Sequence, residues 1–195
     1  MKTATISGSP RTGLGKKDTK AIRNQGLVPC VLYGAADQVH FAADSREFKK
    51  VLFTPEVFTI DLAIDGKNYK ATLQDTQFHP ISDELIHADF LAINDATPIS
   101  IAIPVKVTGN SVGVRAGGKL VIKTRKVRVK ALPANLPDSI NVDISDLSIG
   151  QSVKIQDLKI ENVTILAAPN VVLVSVNTTR AAQAAATEAA KAGKK

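Results

Sequence analysis

The chain has 195 residues, enough for one large or two small cores, and a formal net charge of +7 with a pI near 9.5, which points to a polyanionic partner. One cysteine excludes an internal disulfide framework and a Cys-rich zinc site, and no run approaches the 18 apolar residues of a membrane span. The N-terminus also lacks the apolar core of an export signal, so a cytoplasmic protein is expected. Aromatic residues are scarce and β-branched residues fill the periodic stretches, which predicts a mainly β fold with a few short helices.

Taken in chain order, Thr3 to Ser7 alternates weakly and predicts a first strand. Arg11 to Arg23 is a glycine loop running into Lys16, Lys17, Lys20 and Arg23, opposed only by Asp18. Asp18 is read as the N-cap of a helix over Thr19 to Gln25 with Gly26 as its stop, which places Lys16, Lys20 and Arg23 at i, i+4 and i+7 on one face. Such a face suits solvent as well as an anion. Gly15-Lys16 resembles the end of a phosphate-binding P-loop, but Pro10 stands where that motif needs Gly and Lys17 where it needs a hydroxyl.

Val28 to Leu32 reads as a strand with Pro29 near its start and Cys30 as a buried thiol. A short strand over Val39 to Phe41 leads into a helix over Arg46 to Phe53, capped at Asp44-Ser45. Phe58 to Ile64, the Asp65-Gly66 turn and Tyr69 to Leu73 form the clearest hairpin in the chain. Gln74 to Pro80 is a polar strand end, and Leu85 to Ile93 is a strand on which His87 and Asp89 share a face opposite Ile86, Ala88 and Phe90. That pair is open to three readings: a hydrogen-bonded couple on an exposed sheet, half of a metal or acid/base site, or a contact to RNA hydroxyls and base edges.

The strings GKxxxxxxR, VPCVLYG, QDTQFHP and LIHADF, in this order and spacing, resemble the N-terminal domain of the twenty-fifth protein of the bacterial large ribosomal subunit in its long form, the general stress protein CTC family. GVRAGGKL, LPANLPDSINVDIS and SIGQSVKIQDLKI are similar to the second domain of that long form. The resemblance implies a six-stranded N-terminal barrel that binds 5S ribosomal RNA, an all-β C-terminal domain, and no enzymatic activity, catalytic residue, metal or cofactor. Carried over by position, the RNA-binding residues are Arg11, Lys16, Thr19, Lys20, Arg23, Tyr33, Gln77, His79, His87 and Asp89. Lys20 stands where the family often has Arg, which removes a bidentate fork. The free protein is expected to be a monomer, with its C-terminal domain touching neighbouring large-subunit components and no membrane. A transfer-RNA-binding barrel and a His-Asp hydrolase are the alternatives; the second needs a third polar group or a metal that the sequence does not supply.

The expected division is residues 1–95 for the barrel, 96–180 for the second domain and 181–195 for an Ala- and Lys-rich tail. Ile99 to Val107 alternates cleanly, Gly109 to Gly118 reads as a loop, and Lys126, Arg128 and Lys130 alternate with Val127 and Val129. Seven cations and no acid fall between residues 115 and 130. Lysines there serve equally as a binding face or as protection of an edge strand. Val142 with Ile144, Val153 with Ile155, Val163 with Ile165, and Val171 to Val176 predict the remaining strands.

Overall fold

The computed structural model describes residues 2–34, 37–158, 160 and 162–180; the expected tail at 181–195 lies outside the described residues. The chain forms two compact units, one of Met1–Ile101 with Ala131–Asp138, the other of Ala102–Lys130 with the chain from Ser139 onward.

In the first unit, β1 (Lys2–Pro10), β2 (Leu27–Tyr33), β3 (Val39–Asp44), β4 (Phe58–Ile64), β5 (Lys67–Phe78) and β6 (Leu85–Ala92) close into a barrel in the order β1-β3-β2-β6-β5-β4. Closure leaves no strand edge unpaired along the ring. Two of the six seams are parallel, β1 with β4 and β2 with β6, and the others are antiparallel. The hairpin between β4 and β5 turns on Asp65 and Gly66, both at positive φ, as a tight two-residue turn matched to strand twist requires.

Inward residues of every strand make the core, among them Ile6, Val28, Leu32, Phe41, Ile60, Leu62, Ala88 and Phe90. The ring of Phe90 lies 5.6 Å from that of Phe41 and 6.1 Å from that of Phe48. Phe48 comes from α2 (Ser45–Leu52), a helix that buries Phe48 and Val51. Asp44 caps α2 by accepting from Arg46 N–H, and Glu47 accepts from both the amide and the hydroxyl of Ser7, which ties the helix to β1. Each such aromatic contributes about 1.5–3 kcal/mol on burial, so this cluster is a large part of the unit's stability.

Several expectations need correction. The basic helix α1 spans Lys16–Asn24 with Gly15 as its N-cap, so Asp18 is its third residue and not its cap. A carboxylate one turn from the start still complements the helix dipole, and here it folds back over Gly13, where a Cβ would come within 2.7 Å of it. Gly26 at φ +78 does end the helix. Pro29 is the third residue of β2; the ladder from β2 to β6 starts only at Cys30, so a proline before it removes no bond from that seam.

The chain after the barrel strands forms a four-stranded sheet and a three-stranded sheet. The first has the order β10-β7-β9-β12, from β7 (Ile99–Thr108), β9 (Lys126–Ala131), β10 (Ile140–Asp143) and β12 (Thr164–Ile165). The second has the order β11-β13-β8, from β8 (Lys119–Ile122), β11 (Ser152–Lys154) and β13 (Val172–Asn177). The stretch read as a loop between Gly109 and Gly118 contains a one-turn helix, α3 (Val112–Arg115), because the Ser111 hydroxyl accepts from Val114 N–H and donates to Leu147 O. Ile155 falls in a 3-10 turn and not in a strand.

Candidate nucleic-acid interface

The outward face of the barrel over β3, β2, β6 and β5 carries a row in register: His40 beside Val31, Val31 beside Asp89, and Asp89 beside Asp75. One step along the strands, His87 stands beside Gln77. His87 Nδ1 lies 3.0 Å from Asp89 Oδ1, and both side chains keep a little under a third of their surface in solvent. The aspartate therefore orients the imidazole ring through Nδ1 and leaves Nε2 as its other hydrogen-bonding atom.

Tyr33, two residues along β2 from Val31, shares this face. Partial burial of its ring pushes the phenol pKa above its usual value, and the Asp89 and Asp75 carboxylates push the same way. A phenol held neutral beside two carboxylates is a hydrogen-bond donor at all physiological pH values.

The basic helix meets this face at a defined point. Arg23 Nε–H donates to the carbonyl of Ile86, the residue before His87, at 3.1 Å. No α1 residue is buried, so Lys16 and Lys20 extend freely from the helix. At 1.5 Å rise per residue, Lys20 stands about 6 Å further along the axis than Lys16 and Arg23 about 4.5 Å beyond that. Thr19 spends its hydroxyl proton on Gly15 O at 2.9 Å, which leaves the oxygen only as an acceptor. Arg11, at the end of β1, donates its backbone N–H to His40 O, and its Nε is enclosed without a hydrogen-bond partner.

His79 has a different local role. Its Nδ1 accepts from Ser82 N–H at 3.2 Å, its amide donates to Glu84 O and its carbonyl accepts from Asp83 N–H, so it shapes the turn between β5 and β6. The tautomer this imposes carries its proton on Nε2. A cleft of about 430 Å³ beside α1 is lined by Arg23 and His79 among others, with Lys49, Phe53 and Phe78 on its walls.

The structure thus brings Gln77, His87, Asp89 and Tyr33 onto one sheet face and joins Arg23 to it, while Lys16, Thr19 and Lys20 line the adjoining helix and His79 sits in the neighbouring turn. His40 and Asp75 share this face although the sequence reading does not include them. His40 carries a readable signal, since it alternates with Phe41 on β3; Asp75 carries none, because a bulge between Leu73 and Asp75 inverts the alternation of β5. Among the described residues no three or more of His, Cys, Asp and Glu sit together as a metal-binding group, and no helix is long and apolar enough to cross a membrane.

Comparison with known proteins matches residues 6–90 to the ribosomal L25p family and residues 98–180 to the C-terminal domain of ribosomal protein TL5. The large ribosomal subunit protein bL25 of Porphyromonas gingivalis is 41% identical over 95% of this chain and 98% of its own. Its counterpart in Bacteroides thetaiotaomicron is 40% identical over 98% of this chain and 100% of its own, and that of Amoebophilus asiaticus is 43% identical over the full length of both. With both parts matched in order and identity sustained from end to end, the chain belongs to the bL25 family of large ribosomal subunit proteins in its long form.

Proposed function

We propose that the protein is a structural, non-enzymatic component of the large ribosomal subunit in the cytoplasm, and that its barrel binds 5S ribosomal RNA. The observation that carries the reading is the bond from Arg23 Nε to Ile86 O, which sets a basic helix with exposed Lys16, Lys20 and Arg23 against the His87–Asp89 sheet face. The two surfaces suit different grooves. An A-form major groove is too narrow for side chains unless non-Watson–Crick pairs widen it, so Lys16, Lys20 and Arg23 select an irregular helix. The sheet face suits the wide, shallow minor groove, where His87 Nε2, the Tyr33 hydroxyl and Gln77 can address 2′-hydroxyls and base edges.

Asp89 and Asp75 repel phosphates, so a duplex docks here only where its base edges or sugar hydroxyls, and not its backbone, meet the two carboxylates. In this reading Arg11 and Thr19 complete the contact from the loop and the helix, His79 offers Nε2–H from the turn, and residues 96–180 meet other large-subunit components. Fluorescence titration of labelled 5S RNA, with transfer RNA as competitor, tests the proposal. Four to six phosphate contacts give a slope of log K against log salt of roughly −3 to −5. Equal affinity for transfer RNA, or an affinity indifferent to salt, would sink it.

A further inference from the structure

The second unit carries a basic surface of its own. On β9, Lys126, Arg128 and Lys130 are exposed while Val127 and Val129 between them, and Ala131 after them, are buried. Lys106 on the neighbouring strand β7 is exposed on the same sheet, beside Asn141 of β10, and Lys130 stands beside Thr164 of β12. No described carboxylate lies within ion-pair distance of these four cations. The acid nearest in register, Asp143, sits one row beyond Lys106 beside Thr108, and its carboxylate is occupied by the amide and hydroxyl of Ser145, which hold it below its ordinary range.

Protection of a free sheet edge does not explain Arg128 and Lys130. β9 lies between β7 and β12, and Leu166 N–H extends that cover to Arg128 O. Three cations at alternate positions of one strand stand about 6.5–7 Å apart along it, flanked by Asn141, Thr108 and Thr164, with Asp143 the one acid placed beside them in register. A regular row of charge that no described carboxylate pairs matches a regular row of opposite charge, and a nucleic-acid backbone supplies one. A protein partner is disfavoured on composition, since lysine is depleted from protein–protein interfaces.

We propose that the exposed face of the β10-β7-β9-β12 sheet is a second RNA-docking surface, which grips phosphates through Lys106, Lys126, Arg128 and Lys130 without reading sequence. It does not rest on the 5S reading, because none of its residues belongs to the barrel interface.

The test uses the full chain, a short mixed-sequence single-stranded RNA carrying fluorescein, and a fluorescein-labelled polyglutamate. Lys126→Gln with Arg128→Gln and Lys130→Gln leaves the buried valines in place; it is expected to weaken RNA binding and to make the slope of log K against log salt shallower by about 2, at about 0.7 per lost contact. Lys126→Arg with Lys130→Arg keeps the charge and is expected to bind as the parent does. Lys106→Glu, on a different strand, is expected to weaken RNA binding too, and decides the matter if the triple variant loses its circular-dichroism signal. Unchanged RNA affinity and slope in the folded triple variant and in Lys106→Glu would overturn the proposal. So would loss of polyglutamate binding with RNA binding intact, which would assign the face to an acidic protein.

Discussion

Asp75 and Asp89 stand directly opposite one another on β5 and β6, two carboxylates in a cross-strand pair on the solvent face of the barrel. Like charges in this relation destabilise a sheet, by about 0.2–1 kcal/mol. Asp75 recovers something through its own strand, accepting Thr76 N–H at 2.8 Å, while Asp89 is turned toward His87. No described Lys or Arg forms an ion pair with either carboxylate, and a like-charge pair left this way belongs to a binding surface more than to a scaffold. Asp75→Asn is therefore expected to raise the unfolding free energy by up to about 1 kcal/mol in a denaturant titration at low salt, with a smaller gain at high salt. The same substitution should bring the Tyr33 phenol back toward its ordinary pKa, readable by absorbance in a variant where Tyr69 is Phe. An unchanged phenol titration would mean that burial and Asp89 raise it without help from Asp75.

Cys30 gives a clock for opening of the barrel. It is about 1% exposed, and burial pushes its thiol pKa up to about 12, with the opposing influence of the Arg11 cation the smaller effect. Since the folded value lies above the unfolded one, the stability linked to the thiol is complete below the unfolded pKa of about 9 and is lost as pH rises through 12. At pH 8 the folded protein should resist a thiol reagent, with labelling that speeds up in step with denaturant. Rapid labelling without denaturant would show that β2 opens locally.

The helix and strand that form the proposed RNA interface separate in their expected effects. His87→Ala and Asp89→Ala remove outward side chains whose inward neighbours Ala88 and Phe90 carry the packing, so the circular-dichroism spectrum should not change. Each is expected to cost about 1–3 kcal/mol of 5S RNA binding at unchanged salt slope. Lys16→Gln and Lys20→Gln should instead lower the magnitude of the slope by about 1 each. If His87→Ala altered the slope and not the affinity at high salt, the assignment of base-edge and phosphate contacts would be reversed.

Much of this arrangement is legible in the residues. The alternation of Phe58 to Ile64, the Asp65-Gly66 turn, the Asp44 cap and the shared face of His87 and Asp89 each follow from a local period or a local bond, and each is present. What is not legible is non-local. Nothing in the sequence of β1 announces a parallel partner in β4, and strict alternation from Ala71 and Leu73 would turn Asp75 and Gln77 toward the core. The bulge between Leu73 and Asp75 puts both on the interface instead, and bulges depend on the neighbouring strand as much as on the bulged one. Likewise Lys126 to Lys130 looks the same on an edge as in the middle of a sheet, and only the pairing with β12 separates the two.

The place where the chain divides can be tested by truncation. A fragment ending near Asp95 keeps all six barrel strands and every residue of the proposed RNA interface, so it should fold and bind 5S RNA about as well as the whole chain. The contacts beyond it are informative. The first compact unit continues to Ile101, where Ile99 and Ile101 are buried, and Gln74, freed from the ladder by the β5 bulge, donates from its amide to Ser100 O at 2.9 Å. A fragment ending at Ile101 retains that bond, whereas one ending at Asp95 leaves the Gln74 amide without its acceptor. The longer fragment should therefore be the more stable by about 0.5–1.5 kcal/mol in urea, with equal affinity for RNA. Equal stability of the two would place the boundary before Ile99. Failure of both to fold would show that the barrel depends on the residues after Ile101, Ala131–Asp138 first among them, and that the modular reading is wrong.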